Sequence, residues 1–275
     1  MQKLKQTIIS GNQELFAEYK AQRVGRSAIG KFLLLLKLLF HYVVLRREAP
    51  CFSYGEEQQF ILSPKGDASW LKDVLTPYDV ISFDVFDTLL LRLTHKPTDV
   101  FVNIEHQYCW RGFARARILA EQTARQKQCQ AGEPAEVTLS QIYQELPSKW
   151  KKEGLTYVEA ELQAEEKLCI ANSDLLPVVQ ALCQDGKTVI CVSDMYLSSD
   201  QIRCLLTAAG YPELEVIVSC EEGASKYQGA LYDTVKRRFP GKRVIHIGDQ
   251  LYGDYIQARA HGVPSIYYKG IKKYD

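Results

Sequence analysis

Short apolar runs recur from Val80 onward, and each stops abruptly at a polar residue. Val80-Ile-Ser-Phe runs into Asp84, Val189-Ile-Cys-Val into Ser193, and Val244-Ile-His-Ile-Gly into Asp249; Glu215–Ser219 and Pro264–Tyr268 are two further runs. Runs this short and this apolar read as strands buried on both faces. The text between them is helical. A helix through Leu182 closes at Asp185-Gly186-Lys187, a good C-terminal stop. Ser198 and Gln201 form a capping box that opens the next helix, which Gly210-Tyr211 closes. A helix from Lys226 to Arg238 ends before Pro240-Gly241, and Asp254–Ala260 ends before His261-Gly262. Strand and helix in alternation predict an α/β fold, a doubly wound, Rossmann-like parallel sheet over residues 78–95 and 176–275.

Two segments do not follow that alternation. Residues 96–175 read as an all-helical cap inserted after the first strand. Pro97-Thr98-Asp99 starts a helix, Arg111–Gln130 continues, Val137-Thr138-Leu139-Ser140 begins another and Tyr157–Cys169 is Glu-rich, with no strand signal between them. Tyr108, Trp110, Arg111, Arg115 and Arg117 are the cap residues expected to meet a substrate. Residues 1–77 form an N-terminal extension, in which Tyr54–Trp70 reads as loop. Its notable stretch is 30–47, a strongly apolar helix with a narrow polar stripe at Lys37 and His41. Three placements fit: buried against the main domain, lying on a membrane face, or spanning a membrane. At about 1.5 Å per residue it is short for the last.

Composition narrows the field. The 275 residues are 46% hydrophobic, enough for a sizeable core plus a smaller second domain. A net charge of +1 argues against bulk nucleic-acid binding. The charge is uneven, with nine Lys/Arg against three Glu in residues 1–50, so a peripheral contact at the inner membrane face, or a protein partner, is expected through residues 30–47. Eight cysteines without CxxC pairs or metal-ligand spacing read as reduced thiols of a cytoplasmic protein. No cleavable signal peptide is evident.

The chemistry lies at the strand ends, where open α/β sheets place their sites. Asp84, Ser193, Lys226 just ahead of a helical pattern, then Asp249 with Asp254 close behind, follow one another in that order. Each also has a purely structural reading: strand-end turn acids for Asp84 and Asp249, a helix cap for Ser193 or Asp254, a surface lysine for Lys226. Asp194 fits either a helix cap or a substrate contact.

Taken together, these residues resemble the four motifs of the haloacid dehalogenase (HAD) superfamily. The resemblance runs from about Tyr78 to Tyr268. Phe-Asp-Val-Phe-Asp-Thr-Leu (83–89), Ser-Asp-Met-Tyr-Leu-Ser (193–198) and Gly-Asp (248–249) are similar to a bacterial subgroup that accompanies glycosyltransferases in surface-polysaccharide synthesis. The resemblance implies a Mg²⁺-dependent phosphatase-like hydrolase acting on a phosphorylated small molecule, such as a sugar phosphate or nucleotide-linked precursor. It implies Asp84 as nucleophile, with Mg²⁺ held by Asp84, the Phe86 backbone carbonyl, Asp249 and Asp254. Ser193 would bond a phosphoryl oxygen, Lys226 would neutralise charge, and Thr88 would order the loop. One departure stands out. Phosphatases of the family usually carry an acid two residues beyond the nucleophile, and here that position is Phe86; members lacking the acid include dehalogenases. Asp87 and Asp194 are the acids left to replace it. A catalytically degenerate binding or scaffold protein and a carbon–halogen hydrolase are the alternatives.

Overall fold

The computed structural model describes residues 15, 19, 22, 26–40, 61–62, 69–150 and 154–268. Along the chain come α1 (Ala28–Leu39), β1 (Ile61–Leu62), α2 (Ser69–Leu75) and β2 (Val80–Phe83). β3 (Leu90–Arg92) leads into helices α3 (Asp99–Gln107), α4 (Phe113–Gln130), α5 (Leu139–Gln144) and α6 (Gly154–Leu168), and β4 (Cys169–Ala171) leads out of them. Next are α7 (Leu175–Gln184), β5 (Thr188–Ser193), α8 (Ser199–Ala208), β6 (Glu215–Val218), α9 (Ser219–Glu222), α10 (Ala230–Arg238) and β7 (Val244–Gly248). A π-helical segment, Leu251–Gln257, runs into α11 (Ala258–Ala260) and β8 (Ser265–Tyr268).

β1, β8, β7, β2, β5 and β6 lie side by side in that order, all parallel. β2 sits between β5 and β7, with Phe83 level with Cys191 on one side and Ile247 on the other. All four of its residues are buried, as a strand covered on both faces requires. The chain leaves β2 toward β5 on one side and returns as β7 on the other. Their C-terminal ends therefore meet at the crevice where a doubly wound sheet places its ligands.

Two expectations need correcting. Tyr54–Trp70 is not all loop: Ile61–Leu62 forms β1, whose backbone pairs with β8, and α2 begins at Ser69, with its Leu71 and Leu75 fully buried in the main core. A two-residue strand and a two-turn helix are too short for periodicity to reveal. The helical insertion does not run to Leu175; β4 pairs antiparallel with β3, Leu91 opposite Ile170, so a two-stranded ribbon closes it. Three residues likewise carry no readable alternation. Lys226 lies in the loop before α10, as expected of a lysine just ahead of a helical pattern, and the helix itself begins at Ala230. The helix expected over 30–47 is described as far as Phe40, and His41 and residues 42–47 lie outside the described residues. Among the described residues, Leu34, Leu35 and Leu38 pack with Leu15 and Tyr19 in a cluster of their own rather than in the main core.

The insertion has its own interior. Arg117 is fully buried and donates from Nε and Nη2 to the two Glu161 oxygens, each at 2.8 Å. Phe101 and Tyr196 present ring faces to its guanidinium at 4.5 and 4.7 Å. Removing one partner would leave an uncompensated buried charge and cost about 3–5 kcal/mol. Trp110, Phe113, Trp150 and Tyr157 form an aromatic cluster with edge-to-face pairs at centroid distances of 4.4 to 5.5 Å; Phe113 and Tyr157 stack at 5.8 Å, and Tyr108 stacks on Trp110.

Candidate active site

A cavity of about 410 Å³ opens where β2, β5 and β7 end and the insertion faces them. Asp84 extends β2 by one residue, its N–H donating to Ile247 O at 2.8 Å, so the carboxylate stands at the strand edge while remaining buried. The chain then turns tightly: Asp87 N–H donates to Leu90 O and Leu90 N–H to Val85 O, with Asp87 at φ 62. An L-residue in the left-handed region is unusual, and Asp tolerates it better than most. Asn172, just after β4, ties this loop down by donating from Nδ2 to Thr88 O and to Tyr268 Oη, both at 2.8 Å.

Asp249 follows β7 directly, and Asp254 sits in the π-helical segment beyond it. Asp84, Asp249 and Asp254 are all buried and offer carboxylate oxygens within 4.8 Å of one another. Lys226 Nζ donates to Asp84 Oδ1 and to Asp254 Oδ1, the latter at 2.6 Å. Asp254 Oδ2 accepts the Gln250 N–H at 2.9 Å. Gly248 makes this packing feasible, since a Cβ there would lie 2.3 Å from the Asp254 carboxyl carbon.

Burial drives the titration of these groups. It pushes Asp84 up to about 7, with Lys226 opposing and Asp254 adding to the rise. Asp249 is held well above the usual range by burial, then by the charges of Asp84 and Asp254. For Asp254 burial also acts upward, but the Lys226 ammonium and the His246 bond outweigh it and leave the pKa lowered. Lys226 is held firmly protonated: burial works against its charge, and Asp254, Asp84 and Asp194 prevail. Three crowded carboxylates with one ammonium leave negative charge in excess, which a divalent cation relieves. Asp249 Oδ1 is buried without a hydrogen-bond partner among the described residues. A hard-oxygen cluster with an orphaned acceptor fits Mg²⁺.

Ser193, buried at the end of β5, lines the same cavity, as do Phe86 and Asp87. Ser193 is not the helix cap; Ser198 holds the capping box with Gln201. Lys226 is buried, not a surface lysine. Asp254 is not a helix cap, because Gln250 occupies that position. Asp194 does neither of the two things expected of it alone: it faces the cavity and accepts the backbone N–H groups of Lys226 (2.7 Å) and Tyr227 (3.1 Å), fixing the lysine loop. Thr88 is fully buried, and its carbonyl rather than its hydroxyl makes the loop contact to Asn172. The cap residues expected at the substrate lie elsewhere. Arg117 is locked to Glu161, Tyr108 and Trp110 pack among aromatics, and Arg111 and Arg115 are exposed; none lines the cavity, which instead receives Arg92, Glu121 and Arg125.

Two residues escape a reading of the sequence. His246, mid-β7, places Nε2 3.2 Å from Asp254 Oδ1 and Nδ1 2.8 Å from Ser82 Oγ. An ionised Asp254 only accepts, so Nε2 carries the proton and Nδ1 accepts from the serine. Arg92 of β3 stacks its guanidinium 4.1 Å over the Phe86 ring. The signal for each was one polar residue inside an apolar run.

A parallel α/β sheet with a nucleophile-type aspartate, a lysine and an acidic pair at adjoining strand ends defines a hydrolase of the HAD class. The family model for haloacid dehalogenase-like hydrolases matches residues 78–262, and the chain belongs to that family. Among solved structures, it is similar to a 2-haloacid dehalogenase from Pseudomonas syringae pv. Tomato DC3000 (14% identity, 70% of this chain and 86% of that one, TM-score 0.51). It is also similar to the defluorinating L-2-haloacid dehalogenase Rha0230 (17% identity, 72% and 86%, TM-score 0.50). At these identities the likeness is one of fold. No curated protein matches the chain.

Proposed function

We propose that the chain is a Mg²⁺-dependent hydrolase of phosphorylated small molecules working through an aspartyl intermediate on Asp84. The observation that carries this reading is the contact of Asp84 with Lys226 inside a cluster whose Asp249 keeps an orphaned oxygen. Asp84, Asp249 and Asp254 would hold the ion, which would supply positive charge to the phosphoryl oxygens. An oxygen of Asp84 attacks phosphorus, and Lys226 stabilises the charge on the transferring group. Ser193 donates a hydrogen bond from its hydroxyl to a phosphoryl oxygen, keeping its proton, as the P–O bond to the leaving group breaks. Water then cleaves the aspartyl phosphate. Sugar phosphates, which are esters, and nucleotide-linked precursors of surface glycans, which are anhydrides, are the two substrate classes to compare.

The test is phosphate release from a panel of phosphate esters and anhydrides, with Mg²⁺, with EDTA, and with Asp84→Asn. Release that needs both the ion and Asp84 is expected. Halide release from 2-halo acids that persists in EDTA would replace this reading with carbon–halogen hydrolysis, and silence from folded, Mg²⁺-binding protein would favour a binding role.

For a partner, we propose an anionic membrane surface at α1. Ile29, Phe32, Leu33, Leu36 and Phe40 are exposed and fall on one helix face, opposite the buried Leu34, Leu35 and Leu38. Exposed Arg26 and Lys37 flank that stripe, in the most basic part of the sequence. No helix among the described residues is long and apolar enough to cross a membrane. Co-sedimentation with phosphatidylglycerol vesicles but not phosphatidylcholine vesicles, lost in L33E/L36E, is expected. Equal binding to both lipids, or a dimer that the same substitutions dissolve, would overturn it.

A further inference from the structure

We infer that Arg92 receives the departing oxyanion, so that the substrate is a phosphoric anhydride, either an acyl phosphate or the terminal phosphoryl of a diphosphate. The inference rests on the phosphoryl-transfer reading and concerns the other half of the same reaction, the leaving group.

Two observations point to it. The first is the fate of every carboxylate that lines the cavity outside the acidic cluster. Asp87 Oδ2 accepts from Arg92 Nη1 at 3.3 Å. Glu121 accepts from Arg117 at 3.2 Å and from Arg125 at 3.0 Å. Asp194 accepts two backbone N–H groups. Burial pushes Asp194 up to about 6, but both of its oxygens are taken, Oδ1 by the Lys226 N–H and Oδ2 by the Tyr227 N–H. Each is thus already bonded to a donor of the protein, and none is placed to hand a proton to an alkoxide.

The second is Arg92 itself. It comes from the ribbon that joins sheet and insertion, and its side chain is 7% exposed. Its guanidinium lies against Phe86, two residues from the nucleophile, and both line the cavity with Asp84. The ring fixes the plane of the fork without using its N–H groups. Asp87 and Glu165 are the acids that face it. Glu165 approaches Nε at 3.8 Å without a hydrogen bond, and burial raises its pKa and so weakens its charge. One partly exposed aspartate therefore balances a buried guanidinium that keeps unused donors. A planar fork of this kind matches a carboxylate or phosphate, and binds the charge that such a group acquires as it leaves.

The step balances without an acid. The Asp84 oxygen forms a bond to phosphorus, the bond from phosphorus to the bridging oxygen breaks, and its electron pair stays on that oxygen. The product departs as carboxylate or phosphate at the Arg92 fork, unprotonated. Water then attacks the aspartyl phosphate, and both of its protons leave with inorganic phosphate as H₂PO₄⁻. A sugar or glycerol ester would have to expel an alkoxide, which needs a proton at this point.

The test compares kcat/KM for acetyl phosphate, ADP, glycerol 3-phosphate and p-nitrophenyl phosphate in the full chain with Mg²⁺, for the unaltered protein and for Arg92→Lys and Arg92→Gln. At least one anhydride should exceed glycerol 3-phosphate by about a hundredfold or more, as expected for a missing general acid. Arg92→Gln should cost the anhydrides about tenfold or more and p-nitrophenyl phosphate little, because that phenolate spreads its own charge; Arg92→Lys should fall between. A uniform loss across substrates would assign Arg92 a structural role and overturn the inference. So would an ester turned over as fast as the anhydrides by the unaltered protein, a comparison that stands even if both variants unfold. Whether acetyl phosphate or ADP is preferred separates the two sources of anhydride. No release from any of the four would instead defeat the phosphoryl-transfer reading itself.

Discussion

His246 shows how a residue outside the acidic cluster can govern one inside it. It donates to Asp254 from one ring nitrogen and accepts from Ser82 at the other, and burial lowers its pKa, keeping the ring neutral. Groups that orient a metal-binding carboxylate typically change metal affinity ten- to a hundredfold when removed. His246→Leu should therefore weaken Mg²⁺ binding by about tenfold or more by calorimetry, while His246→Gln, which keeps a donor, recovers part of it. Equal affinity in all three proteins would reduce His246 to packing. The residues at strand ends were readable because each terminates an apolar run, and an acid or lysine in that position has few other reasons to be there. His246 and Arg92 were not, since a lone polar residue inside a strand acquires meaning only through Asp254 and Phe86, which the fold brings to it. Arg117 was misread for the converse reason: nothing local in the sequence distinguishes an arginine on a solvated face from one that Glu161 holds in the interior.

Among the elements, α4 begins at Gly112, which has no side chain to cap it. Glu105, seven residues earlier, takes that role, with Oε1 accepting the Gly112 N–H and Oε2 the Ala114 N–H, both at 3.0 Å. Those two bonds lower its pKa below the model-peptide 4.5. A carboxylate held down in the folded state contributes stability above its unfolded pKa and loses it as pH falls through the folded value. Glu105→Gln should therefore melt at a lower temperature than the unaltered protein at pH 7, and the gap should close as pH falls below about 4.5 and Glu105, on taking up its proton, becomes as neutral as the glutamine. A gap that is unchanged at pH 3 would mean the charge contributes nothing. Elements of eight residues or more were legible from periodicity, the capping box at Ser198 fell where its side chain predicted, and Thr138 caps the helix expected to begin there. β1, β3 and β4 were not, because two or three residues offer no alternation to read and their pairing partners lie far away in sequence.

For the whole molecule, the doubly wound order followed from strand–helix alternation, whereas the placement of the extension against the sheet did not. Nothing local in the sequence marks Leu71 and Leu75 as core residues, and only the assembled structure shows them buried there. The order of the strands also sets a limit on dissection. The family match covers 78–262 and so stops short of β8 and leaves out β1. Cutting the chain to those residues would strip the two strands that cover one side of β7, baring a row of backbone donors and acceptors that another molecule could pair with. It would also delete Tyr268, whose hydroxyl shares Asn172 with the loop that follows Asp84. A fragment of residues 78–262 should scatter light strongly and bind Mg²⁺ poorly beside the full chain, and a monodisperse, ion-binding fragment would contradict this. The portion of the chain that carries the family resemblance is thus not an autonomous folding unit: the segments that similarity passes over finish the sheet on which the chemistry stands.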